Sequence, residues 1–319
     1  MLKILSIFSI IFLVIIMKFD IINANSDLGL LINGAKYGPK KLSEVLKNER
    51  SIQNIYNIES YDIEKSTDIN DKYKNIEYIN LFNKKLFDRV TKTIDEGNFP
   101  ITLGGDHSIV IGSALASINK NLKLGIIWID AHGDFNTPET SSTGNIHGYP
   151  FSCCCGYHGE ELRSFSDLTF NPKNAVLFGG SASDYPEEYN NLKEAGVTII
   201  SYEEIRKEGV EKSLNKAFSI ALNGTNGVHI SYDLDSINPE YAPGVSTPEG
   251  PNVQRQVASY ILDNKSYGFS SDEVKEIMNL INSRKKDVKS FDLVEFNPLN
   301  DISDKTLDIA HLIIKTLIK

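Results

Sequence analysis

The 319-residue chain is poor in cysteine, in cationic charge and in spacer sequence, and each shortage removes a class of protein. Its three cysteines are consecutive, Cys153 to Cys155, which excludes both a framework of spaced disulfides and a Cys-x-x-Cys zinc site. They read as small residues opening a buried helix after Pro150, and they suit a reducing compartment. Lys and Arg total 33 against 42 Asp and Glu, a net charge of -9 that argues against a nucleic-acid partner and is congenial to a cationic substrate. No Pro/Gly/Ser-rich linker and no internal repeat divides the chain, so residues 17–319 read as one domain. The body of the chain also lacks any apolar run long enough to cross a membrane.

The N-terminus differs. Met1 to Ile16 carries Lys3 and then an apolar run from Ile4 broken only by Ser6 and Ser9, the length of a signal-peptide hydrophobic region and short for a membrane span. A strand begins almost at once near Phe19, leaving no spacer for cleavage. Residues 1–16 are therefore expected to be a dispensable extension, or the product of a misassigned start at which Met17 is the true first residue, and the protein is expected to be cytoplasmic.

Apolar residues make up 41% of the chain, enough for a large core. Strands are expected at Phe19 to Ala24, Ile55 to Tyr61, Phe99 to Leu103, Leu122 to Ile129, Asn174 to Gly180, Val197 to Ser201, from Val228, and at Val288 to Phe296. Between them fall helical patterns at Lys40 to Asn48, Ile76 to Glu96, Ser108 to Ile118, Glu187 to Ala195, Glu203 to Leu222, Ser270 to Arg284 and Asp304 to Leu317. Alternating strands and helices, with strands that are near-continuous apolar runs, imply an α/β fold with a parallel sheet covered on both faces. In such sheets ligands bind at the carboxyl ends of the strands.

Three of those carboxyl ends carry chemistry. Trp128-Ile129-Asp130-Ala131-His132-Gly133-Asp134 has three metal-type ligands on alternate residues, which an extended strand would put on one face. Gly104-Gly105-Asp106-His107-Ser108 turns tightly on two glycines and presents His107. Ser231-Tyr232-Asp233-Leu234-Asp235 puts Asp233 and Asp235 on a common face. Read alone, each is a strand end with solvated carboxylates. Gathered at one point, four carboxylates would repel one another unless cations neutralised them. Oxygen and imidazole donors without thiolate suit Mn²⁺, with Fe, Co, Ni or Zn as substitutes, and six ligands fit two ions better than one.

These three motifs, in this order and strand context, resemble the signatures of the ureohydrolases, the arginase and agmatinase superfamily, with the likeness running from about Phe19 to the C-terminus. The resemblance implies a three-layer α/β/α fold with about eight parallel strands, a dinuclear manganese cofactor, and a homo-oligomer, trimer or hexamer. It assigns one ion to His107, Asp130, Asp134 and Asp233, and the other to Asp130, His132, Asp233 and Asp235. It implies attack of a metal-bridging hydroxide on the guanidinium carbon, with Asp134 protonating the leaving amine, His147 shuttling protons and Glu295 pairing with the guanidinium.

The loop from Asn136 to Pro150 resembles that of arginases, in which Asn136, Thr143 and Asn145 would meet the α-carboxylate of L-arginine and Asp184 its α-ammonium. Thr143 replaces the usual Ser. Residues 179–184 lack the Arg of the usual Gly-Leu-Arg-Asp, and Pro251 to Ser266 read as an insertion. The expected reaction is therefore L-arginine to L-ornithine and urea. Agmatinase, formimidoylglutamase or guanidino-acid hydrolase activity is the alternative within the superfamily, and a non-catalytic relative the alternative outside it. His158, His229 and His311 read as ordinary structural histidines.

Overall fold

The computed structural model describes residues 17–180, 186–245 and 268–319. Eight strands form a single sheet: β1 (Phe19–Asn25), β2 (Ile52–Glu59), β3 (Phe99–Gly104), β4 (Gly125–Asp130), β5 (Ala175–Gly179), β6 (Thr198–Ile200), β7 (Val228–Asp233) and β8 (Val288–Val294). They run parallel in the order β2-β1-β3-β8-β7-β4-β5-β6. The strand count, the parallel sense and the α/β class agree with the expectation from sequence.

Helices cover both faces, because successive side chains of a buried strand enter opposite cores. On one face lie α1 (Gly38–Leu46), α6 (Tyr202–Glu208), α7 (Val210–Ala221), α8 (Ser271–Ser283) and α9 (Lys305–Leu317), packed on Ile101, Ile127, Ile129, Ile230 and Phe291. On the other lie α2 (Ile76–Asp95), α3 (Val110–Asn121), α4 (Pro150–Cys154) and α5 (Pro186–Ala195), around Ile22, Ile126, Trp128 and Leu177. Cys153, Cys154 and Cys155 are free thiols buried in this second core, where burial pushes their pKa up; α4 does open at Pro150.

Local departures have local causes. The helix expected from Glu203 to Leu222 is two, parted by Gly209 at φ 89°, a left-handed conformation that glycine adopts without a steric penalty. Along α2, Ile79, Phe82, Leu86 and Val90 are buried at the three- and four-residue spacing of one helical face, whereas the apolar Leu81 falls off that face and is 46% exposed. Ser270 caps α8 in a reciprocal box with Glu273.

The order of the strands decides where a site can form. β3 and β4 follow one another in the chain but are held apart by β8 and β7, so the sheet winds outward in both directions from its centre. The four central strands β3, β8, β7 and β4 consequently bring together the carboxyl ends that lead to His107, Glu295, Asp233 and Asp130. This is the crevice at which open α/β sheets bind ligands. Residues 1–16, Asp184 and the expected insertion at 251–266 lie outside the described residues. Among the described residues no helix is long and apolar enough to cross a membrane.

Candidate metal centre

All six expected metal ligands converge. His107 Nδ1 lies 2.9 Å from Asp134 Oδ2, 2.9 Å from Asp233 Oδ2 and 3.2 Å from Asp130 Oδ2. His132 Nδ1 lies 2.9 Å from Asp235 Oδ2 and 3.6 Å from Asp130 Oδ1. His107, Asp130 and Asp233 thus offer one candidate metal-holding group, and Asp130, His132 and Asp235 a second, each with ligand atoms within 4.8 Å of one another. Asp130 belongs to both, one oxygen turned to each histidine.

The convergence is achieved by turns and not, as the strand pleat had suggested, by alternation along a strand. β4 ends at Asp130, whose Oδ1 accepts the N–H of His132 at 2.7 Å, and Asp134 sits beyond it at φ 47°. β7 likewise ends at Asp233, whose Oδ1 accepts the N–H of Asp235 at 2.7 Å before a short 3-10 turn, Leu234–Ser236. In both cases an aspartate folds the chain over its own carboxylate, an Asx turn that swings the next ligand inward.

The neighbours fix the ligands further. Ser231 Oγ meets His107 Nε2 at 2.9 Å, Trp128 Nε1 donates to Asp130 Oδ2 at 2.8 Å, and the His107 ring stacks on Trp128 at 4.2 Å. Outer partners of this kind set ring orientation and tautomer at metal sites. Ser231 and Trp128 each precede a ligand by two positions on the same strand face, so period two could have found them. Glu188 on α5 left no such signal. Buried, it accepts from the N–H groups of Gly133 (3.3 Å) and Phe135 (2.9 Å) and from Asn136 Nδ2 (2.8 Å), and so anchors the turn that carries Asp134.

The protein's own charges set this cluster against itself. Burial raises Asp134 to about 6, with Asp130 adding to the effect, and burial pushes Asp233 well above the carboxylate range, helped by Asp235 and Asp130. Burial alone would lower His107, but Asp134, Asp130 and Asp233 outweigh it and hold it well above the ordinary imidazole value. Burial also opposes ionisation of Asp130, yet His107 and His132 hold it below its ordinary value. A single nitrogen cannot donate to three carboxylates at once. Hard oxygen and imidazole donors crowded to this degree fit two divalent cations.

Glu295 lies just past β8 at φ 67°, buried beside the metal ligands, with Oε1 accepting the backbone N–H of His107 at 2.7 Å. His147 Nδ1 is 4.0 Å from that same oxygen, so the loop after the metal motif does fold back over the cluster. Burial and the charges of His132 and His107 keep the His147 pKa well below the ordinary value. Of the expected carboxylate readers, Asn145 is buried at the edge of this region and Thr143 Oγ1 accepts the Asn145 N–H at 3.2 Å. Asn136 is engaged differently: its amide nitrogen donates to Glu188 on α5 and to the Gly148 carbonyl of its own loop (3.2 Å), which uses both of its hydrogens. His229 pairs with Asp292 at 3.1 Å in the sheet interior, a structural role as expected.

A sheet with this switch point and two adjoining sets of imidazole and carboxylate donors at its carboxyl edge define a candidate metalloenzyme. Known proteins narrow the class. The Arginase family model matches residues 17–319, and the curated arginase of Bacillus subtilis is 32% identical over 94% of this chain and 97% of its own. The solved arginase of Bacillus caldovelox superposes with a TM-score of 0.82 at 28% identity, covering 95% of this chain and 98% of that one. A Trypanosoma cruzi formiminoglutamase shares the fold, with a TM-score of 0.73 at 20% identity over 95% and 92% of the two chains. The chain belongs to the arginase family and is a metal-dependent amidinohydrolase.

Proposed function

We propose that the protein hydrolyses L-arginine to L-ornithine and urea, with two manganese ions held by His107, Asp130, Asp134 and Asp233 and by Asp130, His132, Asp233 and Asp235. The observation that carries the substrate reading is the loop bearing Thr143 and Asn145, which ends in His147 only 4.0 Å from Glu295. That loop supplies hydroxyl and amide groups, and hence donors for a carboxylate, within a few residues of the His147 that approaches the anionic Glu295.

When bound, the two ions would supply a water acidic enough to ionise near neutral pH, which the resonance-stabilised guanidinium requires of its attacker. Glu295 offers a planar pair of oxygens to the planar guanidinium, and the His107 N–H fixes the orientation of that carboxylate. Asp134 hands a proton to the departing amine. His147, 4.0 Å from Glu295 Oε1, relays protons between the site and solvent.

L-Arginine and agmatine share the guanidinium and its alkyl chain, so they are told apart only at the far end. Donors left without their carboxylate cost about 1 to 3 kcal/mol each, and with two such donors the preference for L-arginine is on the order of 10² or more. Urea release from a panel of guanidino compounds tests this. Parity, or a preference for agmatine, would remove arginine as the substrate and leave the family assignment in place.

A further inference from the structure

Residues 64–75 form an irregular segment between β2 and α2 that bonds two loops near the site, 26–34 and 141–149. On one side Lys65 Nζ bonds the carbonyl of Asp27 at 2.5 Å and its carboxylate at 3.1 Å, and Asn75 Nδ2 donates to the Leu28 carbonyl at 2.8 Å. The 26–34 loop thus held donates its Gly29 N–H to Asp106 and accepts the His147 N–H on the Gly29 carbonyl.

On the other side the segment holds residues 141–149. Lys72 Nζ donates to the Ser141 carbonyl at 3.0 Å, the Lys74 N–H to the Gly144 carbonyl at 3.1 Å, and Tyr149 Oη to the Lys72 carbonyl at 2.8 Å. The rings of Tyr73 and Tyr149 lie 5.9 Å apart. The two chains approach so closely that a Cβ on Gly144, at φ 73°, would stand 2.0 Å from the Asp71 carbonyl. Thr143 lies between the two gripped carbonyls and Asn145 directly after them.

A loop composed of turn residues holds one shape only when contacts outweigh the entropy of ordering it. Donors that must meet a carboxylate gain affinity when they are ordered before the ligand arrives. Lys72 bonds this stretch from outside with a charged side chain, and its bond falls on Ser141, two residues before Thr143.

We propose that Lys72 is a specificity-positioning residue, which by holding the Ser141 carbonyl keeps Thr143 and Asn145 in the arrangement that receives the carboxylate end of the substrate. The inference rests on the reading of L-arginine as substrate. It assigns to Lys72 no contact with the substrate and no part in the hydrolytic step.

The test uses the full-length, Mn²⁺-loaded enzyme as wild type, Lys72→Met, which keeps the stem and removes the donor, and Lys72→Arg, which restores one. Steady-state constants for L-arginine and agmatine, the inhibition constant of L-ornithine, and Tm are measured for each. Lys72→Met is expected to raise KM for L-arginine and the inhibition constant of L-ornithine about fivefold to thirtyfold, the factor that one or two kcal/mol confers. Its kcat and its constants for agmatine should move less than twofold, and Lys72→Arg should recover most of the loss. An unchanged preference in Lys72→Met, or an equal loss on both substrates accompanied by a lower Tm, would overturn the proposal while leaving the substrate reading intact. A wild-type enzyme with no preference for L-arginine would overturn both.

Discussion

Glu295 and His107 are joined across 188 positions of sequence by one hydrogen bond, from the backbone N–H of His107 to Glu295 Oε1 at 2.7 Å. The residue proposed to orient the guanidinium is thereby tied to the backbone of a candidate metal ligand.

That tie makes Glu295→Gln a sharp substitution. The amide loses the charge that faces the guanidinium, and it turns a donor toward either the substrate or the His107 N–H, both of which are donors themselves. The expected loss in kcat/KM is about 10²-fold or more, with both ions retained. Wild-type catalytic efficiency in this variant would remove Glu295 from the site.

Asp130 serves both histidines, whereas Asp235 serves His132 alone. Asp130→Ala is therefore expected to abolish binding of both ions, and Asp235→Ala to weaken one site and spare the other. Metal analysis after dialysis against dilute Mn²⁺ checks this. Two tightly held ions in Asp130→Ala would contradict a shared ligand.

His147→Ala should lower turnover by about 10²- to 10⁴-fold, the usual worth of general acid-base help, without changing metal content. Small imidazoles added to the assay should restore part of the loss. Full turnover without rescue would return His147 to a purely structural part in the loop.

The buried carboxyls predict how the chelated protein responds to pH. Folding raises Asp134 from 3.8 to about 6 and Glu188 from 4.5 to about 8, burial being the largest cause in both. A carboxyl raised by folding stabilises the fold while it is protonated, and that contribution fades as pH rises through the folded value. Tm of the chelated protein should accordingly fall between about pH 4 and pH 8. Added Mn²⁺, which binds only the folded state, should raise Tm more at the upper end of that range. A Tm that climbs with pH in chelator would show that these carboxyls ionise without penalty.

Much of this was open to a reading of the residues alone. The apolar runs and their alternation with amphipathic helices gave the α/β class, because period two and period 3.6 are local properties that burial imposes on neighbours in the chain. The metal ligands were legible for a related reason: oxygen and imidazole donors cluster within a few residues of strand ends, and four carboxylates have no inexpensive fate except beside a cation. The glycines at 104 and 105 were expected to make a tight turn; Gly104 instead ends β3 and neither takes a positive φ, and glycine is needed because an added Cβ at Gly105 would meet the Ser26 carbonyl at 1.7 Å.

Other features depended on partners distant in sequence, which no local pattern encodes. The side-by-side order β3-β8-β7-β4 arises from the packing of the whole sheet, and it turns three separate motifs and Glu295 into one site. Asx turns at Asp130 and Asp233 replaced the pleat as the device that aims the ligands, since each carboxylate could satisfy a nearby N–H only once the strand had ended. Glu188 looked like one more acidic residue in the first turn of a helix, and only the tertiary fold delivers it to three N–H donors around Asp134. Glu188 and the Gly148 carbonyl together take up the amide of Asn136, and Lys72 reaches the Ser141 carbonyl across 69 positions. Sequence determined which atoms could bind metal and substrate; tertiary structure decided which of them are held in place and by what, because a buried polar group takes its partner from whatever the fold brings within hydrogen-bonding reach.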